Sequence, residues 1–236
     1  MTKHLTASFS YAFMASVTIV ALLLMVFFAT EPAITHGQDA TSNDFTIRQV
    51  ITDENSFKVV NNVAMNGPIN GVTGGQATGT TEFVVLSNNS AGYTVDIDFE
   101  YDLNTEAMVG DSSGDEAIRD YTGDVSGEPS REFVVSPTLA QFAYTITSSS
   151  SAHTATSFLD NGSVCNVPGG SGGTQNDGSC WKAPAATGFT IVDSGSAAPQ
   201  GATSTLKFVV HVPSGANPTP LAETYTATAT LSLFVK

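Results

Sequence analysis

AETYTATATLSLFV (222–235) decides the fold class. Tyr225, Ala227, Ala229, Leu231, Leu233 and Val235 fall on one side of an extended chain, and Thr224, Thr226, Thr228, Thr230 and Ser232 fall on the other. Strict period two over this length is the pattern of a strand with one buried face and one wet face. The same chemistry recurs upstream, where Val, Ile, Phe and Tyr come in short blocks separated by Gly, Pro, Asn, Ser and Thr. Further strands are predicted at 45–52, 56–63, 80–87, 92–103, 131–137, 140–147, 154–160, 187–193 and 204–212. With 222–235 this makes ten, and no amphipathic helix separates them. The expected fold is therefore all-β, an antiparallel β-sandwich of the Ig-like or jelly-roll kind.

Four segments read as loops: 71–79, 104–130, 167–178 and 194–202. The segment 104–130 is long for a structureless connection. Within it Ser113-Gly-Asp-Glu116 has capping-box spacing ahead of AIRDY, which predicts a short helix near 114–121. In EFVVLSNNSAGYTVDIDF (82–99), Asn88, Asn89 and Gly92 supply the backbone freedom of a reversal, so 82–87 is expected to pair with 93–99 in a hairpin.

Ahead of the β-rich region, Tyr11 to Ala29 is a run of nineteen residues without a charge, preceded by Lys3 and His4 and ended by Glu31 and Pro32. It reads as an export signal or an N-terminal anchor over residues 1–37. Its length favours an anchor, whereas small residues at Thr35 and Gly37 favour cleavage before Gln38. On either reading residues 38–236 form one extracellular domain, and the membrane is met only through the N-terminal segment. No sorting motif follows the last strand, so any attachment is expected to be N-terminal or noncovalent.

The chain carries 22 acidic and 8 basic side chains, a net charge of −14. Such a surface repels nucleic acid and anionic lipid. Twelve of the acids lie between Asp96 and Glu132, opposed only by Arg119 and Arg131. In VDIDFEYD, Asp96, Asp98, Glu100 and Asp102 share one strand face, with neighbours about 6.7 Å apart. That spacing touches the range of inverting glycosidases, about 6.5–9.5 Å. Identical acids on an exposed face, however, have nothing to drive their pKa values apart, as acid–base catalysis requires. A solvated face explains them. In the following loop Asp111, Asp115, Glu116 and Asp120 are hard oxygen ligands beside flexible glycines and form the calcium candidate, although the spacing is not that of an EF-hand. No other cofactor is expected.

His153 and His211 have no short-spaced partner ligands for zinc, and no serine carries a nucleophile-elbow motif. Asn88-Asn89-Ser90 and Asn161-Gly162-Ser163 fit the glycosylation sequon. Trp181, the one tryptophan, reads as a lid over the sandwich edge or as a platform for stacking sugar rings. It follows CNVPGGSGGTQNDGSC (165–180), which contains the only two cysteines. That stretch lacks the lysine of a phosphate loop, the ligands of a zinc site and the C-x-x-C of a redox motif. Two cysteines in an exported chain pair by default, so Cys165 and Cys180 are expected to close the Gly-rich loop.

TTEFVVLSNNSAGYTVDIDF (80–99) together with the terminal AETYTATATLSLFV resembles small secreted bacterial surface proteins built on such sandwiches, coat and fibre subunits included. In such proteins the final strand completes the sandwich, or a neighbouring copy does so by donation. The resemblance implies a noncatalytic structural or adhesive cell-surface protein, whose partners are other surface proteins, polysaccharide or further copies of itself. The alternating last strand favours internal completion. DFTIRQVIT (44–52) is the segment that would be donated, with Arg48 and Gln49 interrupting its pattern. Two other expectations remain: a carbohydrate-binding or calcium-dependent binding module, and a hydrolase of extracellular polymer.

Overall fold

A computed structural model describes residues 13–26, 48–58, 61–102, 105–114, 116–123, 127–167 and 173–236. The chain divides into two units, residues 1–50 and 51–236. In the first, 13–26 is α-helical and lies within the apolar run. Among the described residues no helix is long and apolar enough to cross a membrane.

The second unit is all-β. Its ten strands are β1 (Asn55–Lys58), β2 (Gly75–Ser87), β3 (Tyr93–Phe99), β4 (Met108–Gly110), β5 (Ala117–Asp120), β6 (Gln141–Ser148), β7 (Phe189–Ser194), β8 (Ala198–Val212), β9 (Tyr225–Ala227) and β10 (Ala229–Val235). They form a curled seven-stranded sheet, ordered β1-β2-β8-β6-β5-β4-β9, and a three-stranded sheet, β10-β3-β7. The architecture is sandwich-like. One pairing departs from the antiparallel expectation: β5 runs parallel to β6 over Arg119–Gln141 and Asp120–Phe142.

Alternation explains the core. On β3, Tyr93, Val95, Ile97 and Phe99 point inward and are almost fully buried. They join Phe83 and Val85 of β2, Phe142, Tyr144 and Ile146 of β6, and Leu206 and Phe208 of β8 in one cluster. Phe99 sits edge-on to Phe142 at 6.0 Å and tilted against Tyr144 at 5.4 Å, ring geometries that add to the area they bury. A smaller cluster lies apart from this core and contains Tyr121, Ala143, Trp181 and Val209, with Phe133 packed against it. Six successive positions of β6, Gln141–Ile146, are buried, with Phe142, Tyr144 and Ile146 in the main cluster and Ala143 in the smaller one.

The structure corrects several expectations. Strands β2 and β3 do not form a hairpin, because β2 pairs with β1 and β8 whereas β3 pairs with β10 and β7. The 88–92 turn is a corner that carries the chain from one sheet to the other. Asn89 is buried there; its amide nitrogen donates to Gly92 O and to Lys236 O, and Gly92 N donates to Asn89 O. Gly92 has φ +95°, and a Cβ would lie 2.0 Å from Ser194 O, so only glycine fits. The helix expected near 114–121 is absent over the described residues, and 117–120 are strand β5. Ile118 is buried on that strand, and tertiary packing overrides the capping-box signal. The segment 131–137 is a strap rather than a strand. It is held by Tyr121 Oη, which donates to Glu132 O and accepts from Val134 N. In 154–160 a bridge at Thr154 and a 3-10 turn, Thr156–Phe158, replace the expected strand. Residues 48–52 are not strand, and 45–47 lie outside the described residues.

Candidate functional site

The expected disulfide is present, with Cα atoms of Cys165 and Cys180 5.8 Å apart. Residues 168–172 lie outside the described residues, but the second half of the loop is sewn into the domain. Asp160, buried, pairs backbone to backbone with Thr174 at 2.8 and 2.7 Å, and its carboxylate accepts from Gly162 N and from Ser179 Oγ. Gln175 accepts from Ser148 N and from Thr154 Oγ1, and donates to Ser148 O. Thr145 Oγ1 donates to Ser179 O at 2.7 Å. Trp181 is 5% exposed; its indole N–H donates to Gly178 O, and its ring packs against Phe133 at 5.6 Å. The ring is packed against protein rather than presented to solvent.

Among the described residues the acids do not converge on a metal site. Asp96 and Asp98 are on the outer side of β3, where Asp96 accepts from Thr190 Oγ1, Glu100 is exposed just beyond it, and Asp102 O accepts from Thr105 N. Asp111 is exposed, Glu116 is half-buried, and Asp115 lies outside the described residues. Asp120 faces elsewhere: its carboxylate accepts from Ala107 N at 3.2 Å, and its own N–H donates to Glu106 at 2.6 Å. Burial pushes the Asp120 carboxyl up to about 6, opposed by hydrogen bonds with Tyr101 and Ala107, raised further by Glu106 and lowered by Lys182. Among the described residues no group of three or more His, Cys, Asp or Glu is placed to hold a metal ion. His153 Nδ1 lies 2.9 Å from Ser194 Oγ, which donates to Ser196 O, so this pair holds a loop and offers no free nucleophile. His211 sits in β8 opposite Gln76 and Gln141.

What the sequence did not reveal is a seam in the sandwich. The half-buried side chains on the main core gather in two stretches of chain, one before β2 and one at the C-terminal end. Eight of the eleven half-buried side chains packed on the main core lie on these two lips: Phe57, Val63, Met65 and Ile69 on one, and Tyr225, Ala227, Leu231 and Leu233 on the other. At one end β1 and β10 come within 8 Å, Cα to Cα. At the other end the lips part into a crevice of about 380 Å³ between Met65, Ile69, Leu221 and Tyr225, with core residues Met108 and Val210 in its wall.

Among the described residues both lips carry a backbone edge that no strand pairs. In the C-terminal strand, Thr224 O accepts from Asp111 N, Thr228 O from Glu100 N, and Lys236 N donates to Gly92 O. Even-numbered residues therefore turn their peptide groups toward β4 and then β3. Since successive residues of a strand address opposite edges, Tyr225, Ala227, Ala229, Leu231, Leu233 and Val235 direct N–H and C=O groups the other way. Strands β9 and β10 are each terminal in their sheets, so no strand meets that edge among the described residues. On β1 the even side faces β2, with Glu54 bonded to Asn88 through both its N–H and its C=O, and the odd side faces the seam. From Thr224 to Val235 there is neither a charge nor a proline. These are the residues with which proteins ordinarily blunt a free edge. Phe234 and Val235 are half-exposed at its end.

Comparison with protein-family models, with curated proteins and with solved structures finds no match.

Proposed function

We propose that this chain is a noncatalytic structural subunit of a cell surface, a secreted or N-terminally anchored sandwich of the Ig-like or jelly-roll kind, that associates with further copies of itself through the seam. The observation that carries the reading is the uncharged edge of residues 225–235, which no strand pairs among the described residues and which lies beside half-covered core side chains. Main-chain groups supply the affinity of strand addition, and alternate side-chain pockets supply its register. A protein selected to remain solitary normally places Lys, Pro or a bulge on such an edge.

The test is sizing and electron microscopy of the full chain in mild detergent, over a hundredfold range of concentration, with calcium and with chelator. Concentration-dependent oligomers or fibres in both conditions are expected. A monomer throughout contradicts self-association, and assembly only with calcium replaces the seam with a cation-bridged contact.

A further inference from the structure

We infer that Asn161 is an N-glycosylation site presented by the folded domain, and that the chain's other acceptor sequence, Asn88-Asn89-Ser90, is closed to the same chemistry. The sugar donor is of the polyprenyl-phosphate-linked oligosaccharide class. The inference rests on the export part of the proposed reading and is independent of self-association. Two observations carry it.

The first is the loop at Asn161-Gly162-Ser163. Asn161 Oδ1 accepts from Ser163 N at 3.0 Å and from Val164 N at 3.1 Å, and Asn161 N donates to Val164 O at 3.3 Å. Two backbone N–H groups on one end of the amide identify that end as oxygen and leave Nδ2, with both its hydrogens, on the other. Among the described residues no acceptor meets Nδ2, and the Ser163 hydroxyl, which an acceptor sequence requires, has no hydrogen-bond partner. Residues 161–164 are all exposed, and a Cβ on Gly162, whose φ is +89°, would meet nothing within 4 Å. The loop stands out between two fixed points: Asp160 is buried and paired with Thr174, and Cys165 is tied to Cys180.

The second is the contrast at Asn88. Its Nδ2 donates to Thr52 O at 3.0 Å, its Oδ1 accepts from Glu54 N at 2.7 Å, and its backbone N donates to Glu54 O at 3.2 Å. The middle residue, Asn89, is buried. Both ends of that amide are spent on holding the chain ahead of β1, so a transferase reaching it has to take the corner apart. At Asn161 the nitrogen already faces solvent. In the transfer the anomeric carbon of the sugar parts from its phosphate oxygen, which departs with the bonding pair on the polyprenyl carrier, and bonds to Nδ2. The nitrogen gives up one proton to a base of the transferase. Oδ1 keeps both its bonds, so the turn survives modification, and the glycan extends from the surface beside Val164, an apolar side chain 54% exposed.

The test recovers the full chain from the cells that make it, checks export by labelling intact cells with a membrane-impermeant reagent, and maps sugar by mass spectrometry of proteolytic peptides. Fragment ions of the glycan are read, so that deamidation at Asn161-Gly162 is not counted. Wild type is compared with Ser163→Ala, which removes the hydroxyl and leaves the Asn161 turn intact, and with Ser163→Thr, which keeps a hydroxyl. The expected result is a glycan on the Asn161 peptide of the wild type and of Ser163→Thr, its complete loss in Ser163→Ala, and a bare Asn88 in all three. An exported chain with a bare Asn161 overturns the site while leaving export standing. Sugar on Asn88, or sugar on Asn161 that survives Ser163→Ala, overturns the argument from geometry. A chain that stays inside the cells overturns both the site and the export reading.

Discussion

The two sides of this sandwich are finished in opposite ways. On the side of the disulfide loop Asp160, Gln175, Thr145 and the Trp181 indole are bonded within the protein, and Cys165–Cys180 closes the loop whose second half they anchor. On the seam side β9 and β10 each leave one backbone edge that no strand pairs among the described residues, and apolar side chains remain half-covered. Neither difference reflects composition, since both sides are rich in Thr, Ser and small residues. What differs is whether the backbone has a partner. Buried groups without partners are costly, so the sealed side serves stability, and on the proposed reading the seam keeps its edge where an incoming chain would reach it.

Substitutions break this comparison in a graded way. The largest effect on stability is expected from Trp181→Ala, which empties the smaller cluster under the strap. A loss of about 3–5 kcal/mol is expected in denaturant unfolding, with association unchanged wherever the variant folds. Replacing both Cys165 and Cys180 by serine is expected to cost about 3 kcal/mol through the reopened loop, read as a lower midpoint that reducing agent reproduces in the wild type.

Asp120→Asn gives a smaller, pH-dependent effect. A carboxyl raised in the folded state to about 6 binds its proton more tightly folded than unfolded. Its contribution is fully present below its ordinary value of 3.8 and is lost as pH rises through 6. The asparagine variant is therefore expected to gain on the order of 1–2 kcal/mol relative to wild type at pH 7, allowing for partial solvent exposure, and nothing at pH 3.5. A wild-type-minus-variant difference that is flat from pH 3.5 to 7 would contradict the buried setting of Asp120. The smallest effect on stability is expected from Ala229→Lys. Its side chain is exposed and its peptide groups face the free edge, so stability should change by no more than about 0.5 kcal/mol, yet sizing should show association abolished. Loss of association without loss of stability on one side, and the reverse on the other, is the signature of the asymmetry.

The all-β class and the positions of most strands were legible in the sequence, because alternation reports which face is buried. The strand at 93–99 and the terminal strand follow directly from Tyr93, Val95, Ile97 and Phe99 and from the Thr-rich run. Pairing was not legible. Asn88, Asn89 and Gly92 supply a reversal that serves a hairpin or a corner equally well, and the choice lies in long-range contacts of Asn89 with Lys236 that no local window contains. The capping-box spacing before Ala117 lost to the burial of Ile118 on a short strand. The disulfide was legible from compartment and cysteine count. The seam was not, because the alternation of 224–235 states which side chains face the core and says nothing about whether a strand lies beside them.

Hydrogen exchange along that strand tests the central claim most directly. In dilute monomer the amides of Tyr225, Ala227, Ala229, Leu231 and Leu233 are expected to exchange fast, while those of Thr226, Thr230, Ser232 and Phe234, which face β4 and β3, exchange slowly. On assembly the odd set should become as slow as the even set. Protection of the odd amides already in the dilute monomer, or fast exchange that persists in the assembled state, would contradict an open edge that receives a partner.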